Sequence, residues 1–294
     1  MLPEGLQYAS ASDTMAKIKS LGMNVIRLTF AIEMIDQIYQ NGAQDITIQE
    51  ALTEALGTEN GTIILKEMLS KNPSFTNQTT RLEANKWPNF VSIGMRNELR
   101  DPEDNSATVE PYDWPHWYNN MVSAAYAIHE TNPDPLIFFS GLDFDTDLGP
   151  IALGSSLSNT SNLTFNASSF PFSDKLVFEL HNYDTDATSC QEIYDDLYPN
   201  GYNALDLSNT TVKNHVPVVM TEFGFAQDNS TYLEPYASCL RKLLPKWKSG
   251  WTTWVLSGSY YIREGTQDYD ETWALPAFPK TSPNWLHMGI EQDS

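Results

Sequence analysis

The sequence predicts an α/β protein with the architecture of a (β/α)8, or TIM, barrel, and two observations lead to this prediction. Six short, almost wholly apolar runs alternate with segments of helical apolar spacing, which is typical of parallel strands buried on both faces. From Phe90 onward these runs begin every 34 to 45 residues, and no GxGxxG or GxxxxGK[ST] loop marks a nucleotide-binding sheet. We therefore expect residues 1–294 to form one barrel domain.

The predicted elements follow one another in the order β, α, β, α. The strands are "MNVIRLTF" (23–30), "FVSIGMRNE" (90–98), "PLIFFSGL" (135–142), "KLVFELHNY" (175–183), "VPVVMTEFGF" (216–225) and "GWTTWVLSG" (250–258). Helices are predicted at "SASDTMAKIKSLG", with a Ser or Asp cap and a terminating Gly, and at "DWPHWYNNMVSAAYAIHETNP" and "YLEPYASCLRKLLPKW". Between residues 30 and 90, "ITIQEALTEALG" and "GTIILKEMLSKNP" also indicate helices.

The composition is that of a globular chain with a strong acidic excess. Of the 294 residues, 41% are hydrophobic and 12% are aromatic, which is ample for a sizeable core. The 17 Lys and Arg against 38 Asp and Glu give a formal charge of −21, which repels phosphate backbones and anionic lipid surfaces. No apolar run approaches the roughly 20 residues that a membrane helix needs. We expect a monomer with neither nucleic acid nor membrane as a partner.

Polar residues stand late in the apolar runs, where a (β/α)8 barrel carries its chemistry. They are Arg27, Asn97, Glu98, His181, Tyr183 and Glu222. Two carboxylates at one barrel rim are what a retaining glycosidase requires, since one protonates the leaving oxygen and the other attacks the anomeric carbon from about 5 to 5.5 Å away. The alternative is that each glutamate pairs with a cation such as Arg27 or Arg96. An arginine beside the attacking carboxylate would keep it ionised, and an apolar or anionic surrounding would keep the other protonated.

The motifs "GMNVIRLTF", "MRNEL", "ELHNY" and "VVMTEFGF" resemble glycoside hydrolase family 5, the cellulase-like clan of TIM-barrel enzymes, over nearly the whole chain. The resemblance implies that Glu98 is the acid/base, that Glu222 is the nucleophile and that Asn97 holds the sugar 2-hydroxyl. It also implies that His181 and Tyr183 orient the nucleophile and the reacting sugar. Arg27 would support Glu222. Family members usually have Asn-Glu-Pro where this chain has Asn-Glu-Leu, and Leu99 does no chemistry, so the change marks a subgroup.

The resemblance also implies an aromatic platform for the sugar, because members of the family stack a sugar on a tryptophan from strand 8. The run "GWTTWVLSGSYY" offers Trp254 or Trp251, with Tyr260 or Tyr261 as substitutes, and the alternative is a core tryptophan. The segment "PYDWPHWYNN" could bring Trp114 or Trp117 to the cleft, although simple helix packing is the more ordinary role.

By the same resemblance the six runs are strands 2, 4, 5, 6, 7 and 8, so strands 1 and 3 are not evident. Strand 3 should lie between Phe30 and Phe90, where the pattern is mainly helical, and "RLEANKWPNF" joins its flanking parts directly. The sequence thus predicts an incomplete barrel that lacks an N-terminal and an internal segment. A barrel short of two strands cannot close with the usual tilt, and it leaves unpaired strand edges.

Neither a metal nor a cofactor is expected. Asp143, Asp145 and Asp147 alternate in "LDFDTDLG", but this segment lacks the Gly and distant Glu of an EF-hand loop, so we interpret it as a solvated strand-end loop. The histidines at 116, 129, 215 and 287 have no ligand spacing. Two cysteines, Cys190 and Cys239, exclude a disulfide scaffold and leave open whether a single disulfide forms.

Secretion is predicted from glycosylation motifs. Seven N-x-[ST] sequons occur, at Asn60, Asn77, Asn159, Asn162, Asn166, Asn209 and Asn229, with three of them in "NTSNLTFNASS". The opening segment lacks the basic start and apolar middle of a signal peptide, so the prediction includes a leader outside this chain. The alternative is that the sequon cluster is an ordinary polar loop that carries no glycan.

Three hypotheses about function follow from these features. The first is a secreted retaining β-glycosidase, most like an endo-β-glucanase or cellulase that cleaves a β-linked polysaccharide. The second is an impaired, carbohydrate-binding remnant of such an enzyme that lacks turnover. The third is a β-glycosidase of small glucosides or glycolipids, because loop shape and not these motifs decides the substrate.

Overall fold

The computed structural model describes residues 6–30, 32–42, 44–79, 87–101, 112–228, 230–257, 261–263, 266–269 and 275–276. Its helices are α1 (Ala11–Ser20), α2 (Ile32–Gln40), α3 (Ile48–Leu56), α4 (Thr58–Lys71), α5 (Trp114–Thr131), α6 (Gly149–Leu153), α7 (Cys190–Leu197) and α8 (Pro235–Trp247). Its strands are β1 (Ser92–Gly94), β2 (Leu136–Phe139), β3 (Leu176–Asn182), β4 (Val218–Phe223), β5 (Gly250–Trp251), β6 (Leu256–Ser257), β7 (Tyr261–Arg263), β8 (Thr266–Tyr269) and β9 (Leu275–Pro276).

The chain divides into two compact units, Met1–Trp87 with Val255–Pro283 and Pro88–Trp254 with Asn284–Ser294. The single domain expected over residues 1–294 stays a prediction.

The second unit is built on a five-stranded parallel sheet whose spatial order, β1-β2-β3-β4-β5, is also the order along the chain. A helix lies in each of the four connections, α5 to α8 in turn. A doubly wound sheet would reverse its strand order at a switch point, whereas a singly wound series is the pattern of a (β/α)8 barrel. The α/β prediction is therefore confirmed, in the form of a partial barrel.

Aromatic packing forms the core of this unit. Every residue of β3 is buried, and Phe178 from this strand meets Phe165, which in turn packs edge-on against Phe139 of β2 at 5.3 Å between ring centroids. From α5 the buried residues Trp117, Met121 and Ala125 follow at four-residue spacing, one face of a helix. Burying side chains of this size stabilises the fold by about 1.5–3 kcal/mol each.

Helix α5 shows how the local sequence sets its element. Asp113 caps its start by accepting a hydrogen bond from the His116 N–H, and Pro115 occupies the first turn, where no donor is needed. The indole N–H of Trp117 donates to the Ser140 carbonyl oxygen at 2.8 Å, so the helix is tied to the end of β2. Trp117 is therefore a core residue and does not line a cleft, contrary to one of the two expectations for "PYDWPHWYNN".

In the first unit, α3 and α4 form a helical hairpin. Thr47 and Glu50 make a reciprocal capping box at the start of α3, and Gly57, at φ +79°, turns the chain between the two helices. Buried Asn72 ties the end of α4 to the N-terminal segment, since its amide donates to the carbonyl oxygens of Leu6 and Ala9 and accepts from the Ala11 N–H. Short pairings β6–β9 (parallel) and β7–β8 (antiparallel) belong to the same unit.

The strand expected at residues 23–30 is wrong. The segment forms no strand, and its apolar side chains are exposed, with Val25 at 51%. A β-prone run forms a strand only when a neighbouring edge pairs with it, and the sequence pattern carries no information about that edge. The helices at 11–20, 48–56 and 58–71 are confirmed, and the described residues between 30 and 90 contain no named strand.

None of the helices in the described part of the chain is long and apolar enough to cross a bilayer.

A disulfide between Cys190 and Cys239 joins α7 to α8, with the two Cα atoms 5.1 Å apart. These helices follow β3 and β4, so the link connects two consecutive strand–helix repeats over 49 residues of sequence. In the loop-entropy model, closing a loop of this length lowers the conformational entropy of the unfolded chain, which raises the free energy of unfolding by about 4 kcal/mol.

Replacing both cysteines by serine should lower the free energy of unfolding by about 2–4 kcal/mol, because the unfolded chain regains that freedom. Urea denaturation of the oxidised protein, with and without a reducing agent, measures the effect. The double variant serves as the control, since reductant should leave its midpoint unchanged. If the urea midpoint of the oxidised wild-type protein did not change on addition of the reducing agent, this account would be contradicted.

Candidate active site

The candidate site lies at the carboxyl ends of β1, β3 and β4. Glu98 comes four residues after β1 ends, His181 and Glu222 lie near the ends of β3 and β4, and Tyr183 directly follows β3. Because these strands are parallel, their carboxyl ends meet at one edge of the sheet. The predicted residues Glu98, His181, Tyr183 and Glu222 are therefore brought together.

A bulge in the β3–β4 pairing decides which side chains share a face. Leu180 pairs with Met220, but the next pair is His181 with Glu222, so Thr221 is an extra residue on β4. With regular pairing His181 would lie beside Thr221, and Glu222 would point to the opposite face of the sheet. The bulge puts the imidazole and the carboxylate on one side. Regular alternation along a strand, which would put Glu222 on the same face as Met220, does not predict this arrangement.

The two glutamates lie close together, with the histidine between them. His181 Nδ1 is 3.1 Å from Glu98 Oε1, and His181 Nε2 is 3.8 Å from Glu222 Oε2. One carboxylate oxygen of each glutamate and one ring nitrogen of His181 all lie within 4.8 Å of one another. This closest approach of the two carboxylates is nearer to the about 5–5.5 Å of a retaining pair than to the about 6.5–9.5 Å of an inverting pair.

The two carboxylates differ in exposure and in their hydrogen-bond partners. The Glu98 side chain is 22% exposed and that of Glu222 is 9% exposed. The Tyr183 hydroxyl donates a hydrogen bond to Glu222 Oε1 at 2.8 Å. Burial, together with the negative charge of Glu222, raises the pKa of Tyr183 far above its ordinary value. Tyr183 therefore remains a neutral donor to Glu222, the less exposed of the two carboxylates.

The loop after β2 contributes a residue that the sequence reasoning missed. Asp145 is fully buried, and its Oδ2 accepts a hydrogen bond from the Glu98 backbone N–H at 2.7 Å. The interpretation of "LDFDTDLG" as a solvated loop is wrong at this position, although Asp143 is exposed. Burial raises the pKa of Asp145, and nearby His181 opposes that effect.

Arg100 is the second residue that the sequence reasoning missed. Its Nη1 lies 3.6 Å from Glu98 Oε2 and donates to the Glu98 carbonyl oxygen, and its guanidinium stacks over the Phe144 ring at 5.4 Å. Arg100 stands two residues after Glu98, and this closeness in the sequence is the signal for it, since Glu98 is left-handed and strand alternation does not apply there.

Of the remaining predicted residues, Asn97 is exposed directly before Glu98, and Arg27 lies in the first unit on the segment 23–30 that forms no strand. Trp254 is half-buried at the end of the second unit, where its backbone N–H donates to the Phe223 carbonyl oxygen. Trp251 lies in β5 and packs edge-on against Phe223, a core contact. Tyr260 lies outside the described residues, so its suggested role stays a prediction.

Among the described residues, Glu98, His181 and Glu222 are also the one group of side chains close enough to hold a metal ion. Each already has a protein partner in this cluster: Glu98 contacts His181, and Glu222 accepts from Tyr183. The expectation of no metal stays a prediction.

Two carboxylates and a histidine thus lie together at the carboxyl edge of a singly wound parallel sheet. The family profile "Cellulase (glycosyl hydrolase family 5)" matches residues 4–259. The chain belongs to the cellulase family, glycosyl hydrolase family 5.

A relative from Chamaecyparis obtusa, described as a glycosyl hydrolase 5 family protein, is 26% identical over 336 residues, which include 93% of this chain and 56% of the relative. The chain therefore spans about half the length of the curated relative. The aligned stretch is longer than the 294 residues of this chain, so the alignment contains gaps opposite residues that the relative has and this chain lacks.

Among solved structures, a β-glucanase from Saccharophagus degradans in complex with cellotetraose has a TM-score of 0.40 and 16% identity, with 57% of this chain and 45% of that chain covered. An endo-β-1,4-glucanase from Xanthomonas axonopodis pv. citri has a TM-score of 0.39 and 20% identity, with 72% and 61% covered. A β-mannanase from Streptomyces thermolilacinus with mannohexaose has a TM-score of 0.38 and 16% identity, with 60% and 48% covered. TM-scores at this level establish nothing about the site.

Gly141 should be intolerant of a side chain because it begins the loop that carries Asp145. An ideal Cβ at Gly141 would lie 1.7 Å from the Asp147 carbonyl oxygen, so Gly141→Ala must displace the loop backbone. We expect a loss of about 1–3 kcal/mol in the free energy of unfolding, measured by urea denaturation. Gly250→Ala is the matched control, because its Cβ would meet only ordinary contacts at 3.6 Å. Equal stability of the two variants would contradict the described loop.

Proposed function

We propose that this chain is a retaining glycoside hydrolase that cleaves O-glycosyl bonds, with Glu98 as the acid/base and Glu222 as the nucleophile. The observation that carries the proposal is the approach of the two carboxylates within 4.8 Å across the ends of β1 and β4. Membership of the cellulase family supports the same class of reaction.

In the first step, a Glu222 carboxylate oxygen attacks the anomeric carbon while the Glu98 carboxyl gives its proton to the leaving oxygen. The aglycone leaves as an alcohol, and the sugar is bound covalently to Glu222. In the second step, Glu98, now a carboxylate, takes a proton from water, and the water oxygen attacks the anomeric carbon and releases Glu222. Two inversions give net retention of configuration.

The assignment of the two roles follows from their surroundings. Glu222 is deeply placed and holds the Tyr183 hydrogen bond, so one of its oxygens is oriented for attack. Glu98 is more exposed. This suits an acid/base, because the group must contact the leaving oxygen in the first step and water in the second. His181 contacts both carboxylates and keeps their separation short.

For the substrate we propose a neutral β-linked polysaccharide, cleaved internally as by an endo-β-glucanase or cellulase. The family name supports this choice, and a formal charge of −21 disfavours acidic polysaccharides. Trp254 is the proposed stacking platform, because it lies past the end of β5 and is half-buried. Asn97 completes the proposed set as a sugar-binding residue, and the supporting role expected of Arg27 stays a prediction from the sequence.

The second candidate function is carbohydrate binding without turnover. It is favoured by the alignment gaps opposite the Chamaecyparis obtusa relative, since any site residues that those segments supply would be absent from this chain. A β-glycosidase of small glucosides or glycolipids is the third candidate, and the substrate panel in the following test includes it.

Glu98→Gln should slow hydrolysis by about 10²–10⁴-fold, the usual contribution of general acid–base catalysis, and Glu222→Gln should abolish it. The assay measures the release of reducing sugar from cellulose, mannan, 1,3-glucan, 1,6-glucan and glucosylceramide. NMR of the reaction mixture identifies which anomer of the product sugar forms first. Exposed Glu130 on α5 provides the control variant Glu130→Gln, which should keep full activity. A β-anomer as first product supports retention. A wild-type chain that binds oligosaccharide but releases no sugar would show the binding-only alternative instead.

We also propose that the protein is secreted and N-glycosylated in "NTSNLTFNASS". Asn159, Asn162 and Asn166 are exposed there, whereas Asn209 is half-buried and its amide donates to the Tyr198 hydroxyl. Expression through a eukaryotic secretory pathway should give a protein whose mass falls on enzymatic removal of N-glycans. Replacing the three asparagines by glutamine should reduce that fall, while Asn209→Gln should not. An unchanged mass after treatment would disprove glycosylation.

A further inference from the structure

Asp145 is a buried carboxylate with contacts to two strands of the site. Its Oδ2 accepts from the Glu98 backbone N–H at 2.7 Å, and its backbone carbonyl oxygen accepts from the His181 N–H at 3.0 Å. The same Oδ2 lies 3.8 Å from His181 Nε2. One residue from the loop after β2 therefore connects the end of β1 to the end of β3.

The backbone around this residue is strained. Asp143, Phe144 and Asp145 are three consecutive non-glycine residues in the left-handed region, at φ +52°, +59° and +62°. Each such residue costs free energy, and burying a carboxylate costs more. Strain of this kind persists only where the surroundings over-determine it, and it clusters at functional sites.

Glu98 shares this unusual backbone, at φ +50°. Its left-handed conformation sets the direction in which its side chain leaves the chain, and its N–H is the group that Asp145 holds. A hydrogen bond to a charged acceptor is about twice as strong as one between neutral groups. The Asp145 carboxylate therefore stabilises the conformation that points the Glu98 carboxyl toward His181 and Glu222.

We propose that Asp145 is a positioning residue, whose carboxylate holds Glu98 in the left-handed conformation that keeps its carboxyl beside Glu222. This inference rests on the proposed role of Glu98 as the acid/base. Asp145 does not reach the substrate; it acts through Glu98 and His181. Burial is the largest effect on the pKa of Asp145 and raises it, whereas His181 and the hydrogen bond from the Glu98 N–H lower it, so these two contacts favour the charged form.

The test replaces Asp145 by Asn, which keeps the shape and tolerates the left-handed backbone but removes the charge. Asp143→Asn is the matched control, because Asp143 has the same residue type, loop and backbone region but is exposed. The measured quantity is kcat/KM for aryl β-glycosides, which reports the bond-breaking step. Phenyl glycosides need the acid, and dinitrophenyl glycosides do not.

For Asp145→Asn we expect kcat/KM to fall by about tenfold or more with the phenyl glycoside, equivalent to about 1.4 kcal/mol, and to change little with the dinitrophenyl glycoside. The melting temperature should not fall, because a buried charge has been removed. Asp143→Asn should match the wild type in all three measurements. An equal loss with both glycosides, or a loss that followed a lower melting temperature, would overturn the proposal.

A second measurement separates this inference from the proposed function. Hydrogen exchange of the Glu98 amide, followed by NMR, should be faster in Asp145→Asn than in Asp143→Asn, because its acceptor is weakened. If the wild-type chain hydrolysed none of the glycosides, the proposed function would fail, and the exchange rates would still test the contact. Equal exchange rates in the two variants would refute the positioning role whatever the activity.

Discussion

Paired residues of parallel strands face the same side of a sheet, so register decides which side chains meet at a strand end. The extra residue Thr221 in β4 shifts that register by one position just before the site. Without it, Glu222 would face away from His181, and the nucleophile proposed here would be separated from the acid/base. The hydrogen bond from Tyr183 to Glu222 and the short spacing of the two carboxylates depend on this bulge.

The sequence predicts the partial barrel and the placement of Glu98, His181, Tyr183 and Glu222 at strand ends, because apolar runs and the polar residues that end them are local patterns. The bulge is not predictable in this way, since it depends on how two strands pair. The same holds for residues 23–30, which have a strand-like composition but form no strand. Asp145 was misread for a related reason: alternating aspartates suggest solvent, whereas a left-handed turn buries the middle one.

The site contains strained backbone and buried charged groups, which lower the stability of the fold, and packing in the core offsets this loss. Four of the six described non-glycine residues with positive φ are Glu98, Asp143, Phe144 and Asp145, all at or beside the site. The buried side chains of His181 and Glu222 lie next to Glu98 and Asp145. The buried aromatic cluster beneath β2 and β3 supplies the opposing stabilisation, and the disulfide between α7 and α8 restrains the repeats that carry His181 and Glu222.

Strand β1, which leads to Glu98, is only three residues long and lies at the end of the sheet order, with β2 as its one partner strand among the described residues. Pairing with β2 covers only Ser92 to Gly94, so the sheet itself does not fix the backbone of Glu98, four residues further on. The position of Glu98 therefore depends on contacts from outside the sheet, such as the hydrogen bond from its N–H to Asp145.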